Sequence, residues 1–224
     1  MYYFVSIKGI KETENGTEVI IKTKESVANE ILKNRILTAE IRLNDNRRIS
    51  SEQRGKIYAT IKDISMWTGD EPEYLKEFLK FSFCGDKGEE YFSLSDCSIS
   101  VAREFITYII DFVLKHNIPL SDIALNRTDD IDRYLYGCLK YRRCAITGRA
   151  GANIHHVEGS RIGMGRNRHK ISHKGLELMA LSSEWHDRVH REGEEEIFKN
   201  YKIYGITLDG KTLHDLGISK EDIS

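Results

Sequence analysis

The stretch that decides the reading of this chain runs from Cys144 to Gly193, CAITGRAGANIHHVEGSRIGMGRNRHKISHKGLELMALSSEWHDRVHREG. Six of the eight histidines lie between its His155 and His190. Two spacings carry the argument. His155 and His156 are adjacent, flanked by the apolar Ile154 and Val157. On a strand, two such imidazoles point to opposite faces. His186 and His190 are four apart and follow Ser182 and Ser183, good helix N-caps. On a helix they share one face and can share one cation. Neutral imidazole suits Zn, Ni, Cu or Fe, and hard cations fit where phosphate oxygens complete the shell. A His pair can also divide its labour, one ring holding a metal and the other taking a proton near neutral pH. Phosphodiester hydrolysis asks for both. Any one of these histidines alone reads more readily as a structural or surface residue; the grouping is what points to a site.

The same region is basic. From Lys140 to Lys174 there are nine Lys and Arg residues against the single acid Glu158, in a chain whose net charge is −1. A cationic segment inside a near-neutral protein is the footprint of a phosphate-binding face, although a solvated basic loop has the same composition. Arg161, Arg166, Arg168 and Lys170 follow the His pair, and Gly163 and Gly165 allow close approach of a backbone. These four cations are candidates for sequence-independent phosphate contacts.

Outward from this region, 224 residues of 40% hydrophobic content are enough for one sizeable core or two small ones. The N-terminal part alternates like strands over Tyr2 to Lys8 and Thr17 to Thr23, about the turn Glu14-Asn15-Gly16. A short helix over Ser26 to Lys33 and a strand over Ile36 to Leu43 follow. Ser50 with Gln53 is a capping box opening a helix whose Ile57, Ile61 and Ile64 share a face. Gly69 to Pro72 ends it and starts another helix, which runs to about Phe83. The pattern predicts a strand at Tyr91 to Leu94. A strong amphipathic helix then carries Val101, Phe105, Tyr108 and Phe112, and ends at Ile118-Pro119. The polar, acidic stretch Ser121 to Asp132 reads as a linker or connecting helix, so the chain divides near residue 130. The four cysteines, Cys84, Cys97, Cys138 and Cys144, have no paired metal-ligand spacing and read as mostly buried free thiols. The N-terminus shows no secretory signal and no run spans a bilayer, so a soluble intracellular protein without a membrane partner is expected.

The histidine segment resembles the HNH endonucleases, whose core is a ββα-metal unit. In that family a His-His or Asp-His pair ends the first strand and a helix supplies the last ligand; colicin-type members carry the same H-x-x-x-H. The resemblance implies that His156 is the general base. It implies that His155, His186 and His190 hold one divalent ion (Mg, Mn, Zn or Ni), and that cleavage leaves a 5′-phosphate and a 3′-hydroxyl. The position of the motif's middle Asn holds Glu177, with Asn167 and His173 nearby as substitutes. Where many members have two Cys-x-x-Cys knuckles, this chain has Cys144-Ala145-Ile146-Thr147 and Ser182-Ser183-Glu184-Trp185. Three of the four thiols are missing, so no structural zinc ribbon is expected. The segment most resembles HNH-type proteins of bacteriophages of Gram-positive hosts.

The stretch Ser50 to Ser65, with Gln53, Arg54, Lys56 and Tyr58, and the later Ser95 to Asp122 resemble lambda Orf (NinB) recombination mediators. This covers residues 1 to about 125. It implies binding of single-stranded or branched DNA, contact with single-strand binding protein, and a homodimer. Tyr58 would stack a base and Lys56 meet a phosphate, although Tyr58 as core and Lys56 as solvated are equally good readings. The combined expectation is an α+β phage protein. An Orf/NinB-like domain spans residues 1–130 and an HNH module residues 131–224, acting on DNA in the host cytoplasm. A non-catalytic mediator with a degenerate module, or a nuclease of RNA, are the rivals.

Overall fold

Local signals explain where the helices start and stop. In the computed structural model, which describes residues 5–14, 16–24, 26–34, 47–157 and 173–218, α2 (Ser51–Thr68) opens on the capping box. Ser50 accepts from the Gln53 N–H, and Gln53 Oε1 accepts from the Ser50 N–H. It closes on Gly69 at φ 82. α3 (Pro72–Lys87) begins with the proline, where a missing N–H costs no hydrogen bond. α4 (Ile99–His116) is capped by Ser98. After a 3-10 turn at Ala124–Arg127, α5 (Ile131–Tyr141) is capped by Asp130. Ahead of these come a hairpin, β1 (Val5–Thr13) and β2 (Gly16–Thr23), with a bulge between Ile7 and Gly9, and the short α1 (Ala28–Asn34). The strand expected over Ile36 to Leu43 lies outside the described residues.

The apolar faces of α2, α3 and α4 meet. Ile57, Ile61, Ile64, Leu79, Phe83, Phe105, Ile106 and Ile109 are all buried. Each such side chain contributes about 1.5–3 kcal/mol of transfer free energy. Phe83 meets Phe92 and Phe105 edge-on, with centroids 5.7 and 5.5 Å apart. α5 packs against α4 on one side and against β4 (Leu178–Leu181) on the other. β4 pairs antiparallel with β3 (Asn153–His156), and Leu178 also bridges Ile206, so every residue of β4 is buried. α6 (Ser183–Glu192), α7 (Glu194–Tyr201) and α8 (Gly210–Asp215) complete the chain. The α+β expectation holds. The division drawn near residue 130 falls just before α5, and one connected core of buried side chains runs across it from Ile49 to Ile218. Among the described residues no helix is long and apolar enough to cross a membrane.

Two local expectations are corrected. Tyr91 to Leu94 is no strand: the Ser93 carbonyl accepts from the N–H groups of Asp96 and Cys97, which makes a turn. Its alternation is real, since Leu94 is buried and Phe92 packs on the core, but it packs on helices instead of pairing with a strand. Ser121 to Asp132, expected as a linker or connecting helix, is no solvated linker, and its helical part ahead of α5 is only the 3-10 turn at Ala124–Arg127. The Ser121 N–H and hydroxyl donate to Asp63 Oδ2 at 3.1 and 3.0 Å. Arg127 is buried and pairs with Asp122 at 2.6 Å and Asp63 at 3.5 Å. Its polar residues satisfy one another and α2 rather than water.

Candidate metal centre and nucleic-acid face

The site is assembled where β3, α6 and α7 meet. β3 pairs through His155 with Met179 and through His156 with Leu178. The pleat therefore sends the two imidazoles opposite ways, as adjacency in a strand requires. His155 turns inward, 2% exposed, toward α6. Ser182 caps α6 through the Trp185 N–H, and Trp185 and Val189 are buried, so His186 and His190 present the same face toward β3. The ring of His155 lies 5.0 Å from that of His186 and 5.4 Å from that of His190, centroid to centroid. One nitrogen from each of the three lies within 4.8 Å of the others. A cation holding its ligands at about 2.1 Å separates them by at most about 4.2 Å. Small side-chain rotations bring the three rings to one ion, so the donor set fits.

Glu194, which sequence spacing did not single out, completes the arrangement. It is the first residue of α7, buried, and its Oε2 lies 2.7 Å from His155 Nε2. A carboxylate against one imidazole nitrogen fixes the ring and leaves the other nitrogen for a cation.

His156 faces the other way and meets His173, Nε2 to Nδ1 at 3.0 Å. Between two neutral imidazoles one must donate and the other accept. With the proton on His156 Nε2, its Nδ1 is the unprotonated, basic nitrogen. His156, His173 and His186 line one pocket of about 330 Å³. His186 therefore belongs to both the three-imidazole cluster and the pocket that holds the base candidate.

The family described as "Putative HNHc nuclease" matches residues 21–215. The chain belongs to this family. No curated protein and no solved structure matches it. The matched span includes the N-terminal helices as well as the histidine region. The position equivalent to the motif's middle Asn, Glu177, gives its carbonyl to the Val157 N–H. His173, rather than Glu177, is the residue hydrogen-bonded to His156. Cys144 is buried, without a disulfide, near Cys138; burial pushes the Cys138 thiol well up, as for an inert core thiol.

The candidate nucleic-acid residues divide three ways. Arg161, Arg166, Arg168 and Lys170, with Asn167, lie outside the described residues. Gln53 and Lys56 turn inward. Gln53 is 4% exposed and donates through Nε2 to Asp129 Oδ2 at 2.9 Å and to the Ile99 carbonyl at 3.2 Å. Lys56 pairs with Asp129 at 2.6 Å and Glu52 at 3.0 Å and donates to the Thr128 carbonyl. Burial works to lower its pKa, but the hydrogen bonds to Asp129 and Glu52 outweigh it and leave it raised. Arg54 and Tyr58 turn outward. They line a groove with Lys76, Lys80 and Tyr91, and Tyr58 is 48% exposed.

Proposed function

We propose that this protein is a divalent-metal-dependent endonuclease that cuts DNA during phage recombination or replication, in the cytoplasm of a bacterial host. The observation that carries this is the convergence of His155, His186 and His190 within ligand range, with His186 also lining the pocket that holds His156. In this reading His155, His186 and His190 hold the cation (Mg, Mn, Zn or Ni) and Glu194 orients His155. A bound divalent ion supplies Lewis acidity at the phosphate and charge relief at the leaving 3′-oxygen. His156 takes the proton from the water that attacks phosphorus, and His173 holds His156 in the tautomer that can do so. The products carry a 5′-phosphate and a 3′-hydroxyl.

The N-terminal unit, residues 1–130, holds single-stranded or branched DNA. The groove supports this: the exposed Tyr58 and Tyr91 offer rings and Arg54 beside them offers charge, the pairing that nonspecific single-strand binders use, while Lys76 and Lys80 are held by Glu73 and Glu77. Contact with single-strand binding protein and a homodimer belong to the same proposal. Arg161, Arg166, Arg168 and Lys170 would add backbone contacts beside the cut.

A plasmid nicking assay with Mg, Mn, Ni and Zn tests the nuclease assignment. Wild type is expected to nick and His156→Ala to lose the activity. Cleavage undiminished in His156→Ala removes the base assignment, and no cleavage with any metal leaves the non-catalytic mediator. Matched DNA and RNA substrates decide the sugar. In the N-terminal groove, Tyr58→Ala is expected to weaken single-stranded DNA binding about tenfold or more, in line with one lost stack, read by fluorescence anisotropy.

A further inference from the structure

We propose that Arg142 binds the phosphate at the cleavage site; the inference rests on the nuclease reading above. Arg142 lines the same pocket of about 330 Å³ as His156, His173 and His186. It ends α5 in the left-handed region, φ 54 and ψ 50, a backbone conformation disfavoured for a long side chain. Its carbonyl accepts from the Ala152 N–H at 3.0 Å, which ties it to the approach to β3. The position is thus fixed on both sides.

Its charge is the second observation. Arg127, Arg133 and Arg188 each pair with a carboxylate. Among the described residues Arg142 pairs with none; Nη2 donates to the Leu216 carbonyl at 3.2 Å. Burial alone pulls its pKa down, which marks a cation partly stripped of water without an anion in return. Its neighbour Arg143 shares the burial but gives its guanidinium to the Leu114 carbonyl and Asn117 Oδ1, both at 2.7 Å. Arg143 holds α4, while Arg142 faces the pocket. A guanidinium fork matches two oxygens of a phosphate. When the water oxygen bonds to phosphorus and the P–O3′ bond breaks, charge grows on the non-bridging oxygens. A fixed cation there favours the transition state over the ground state.

Cobalt(II) serves as the probe on the full chain, because its visible absorption reports both imidazole ligation and an added anion. Arg142→Asn removes the charge with a residue that tolerates the left-handed conformation; Arg142→Gly does so without any side chain. Arg142→Lys restores a charge. All three are expected to bind cobalt within about twofold of wild type, since Arg142 is no metal ligand. Inorganic phosphate titrated into the cobalt-loaded chain is expected to bind about 10–100-fold more weakly in Arg142→Asn and Arg142→Gly, with partial recovery in Arg142→Lys. Plasmid cleavage should fall about 10²-fold in kcat. Equal phosphate affinity in wild type and Arg142→Asn overturns the proposal, as does unchanged cleavage. Phosphate binding that depends on Arg142 in a chain that cuts neither DNA nor RNA leaves the anion site standing and removes the nuclease reading alone.

Discussion

Glu194 opens a run of three glutamates at the head of α7. Acidic residues are common there because they complement the positive end of a helix, so the sequence gives no reason to choose one. The fold does, burying Glu194 while Glu195 and Glu196 stay exposed. Glu194→Gln is expected to weaken metal binding about 10–100-fold, as for other carboxylates behind a ligand imidazole. Glu195→Gln should leave it unchanged, and calorimetric titration of nickel separates the two; equal losses would deny Glu194 its role. His186 and His190 were legible because a four-residue spacing is a local geometric fact. The contact between His156 and His173 was less so, because it joins residues 17 apart across positions 158–172, and no periodicity encodes such a distance. The sequence placed His173 near the right place without saying what it would touch.

At the scale of elements, signals that depend on neighbours in the chain were legible: the Ser50–Gln53 box, Pro72 at the head of α3 and the serine ahead of α6. Signals that depend on a distant partner were not. Alternation at Tyr91 to Leu94 describes which side chains face inward, and a strand needs a second strand as well. Polarity at Ser121 to Asp132 describes hydrogen-bonding capacity, and the partner was Asp63 and the Gln53–Lys56 turn of α2. Two glycines show the same contrast. A Cβ on Gly205 would stand 2.5 Å from Val157 Cγ2 and 2.8 Å from Glu177 Cβ, where the Ile206 bridge closes on β4. Gly205→Ala is therefore expected to lower stability by about 1–3 kcal/mol. Gly55, within α2, has open space, and Gly55→Ala should raise stability by about 0.5–1 kcal/mol. Urea denaturation of both variants checks the pair. A harmless Gly205→Ala would mean that the bridge does not need this close approach.

Across the whole molecule, the continuous core means that the histidine cluster and helical unit melt together if folding is two-state. Polar clasps reinforce this. The Tyr204 hydroxyl donates to Asp132 Oδ1 at 2.7 Å, joining the segment after α7 to α5. That bond, then burial, raises the phenol's pKa from 10.0 to about 12. The fold favours the protonated phenol, so this contribution is complete below pH 10 and disappears as the pH climbs toward 12. Tyr204 is half-exposed, so the contribution is small, about 0.5–1 kcal/mol. Tyr204→Phe should melt lower than wild type by a constant margin from pH 7 to 9, and the margin should vanish by about pH 12. A margin unchanged across that range would detach the stability from the hydroxyl's proton. One joint in this assembly has a wider consequence. α6 hands over to α7 through the single residue Gly193, at φ 102. A long loop absorbs an extra residue as slack, but this joint has none. Adding a residue here would advance Glu194 about 100° around its helix axis, carrying the carboxylate off His155. A chain lengthened by one residue at this handover is therefore expected to lose the contact between Glu194 and His155.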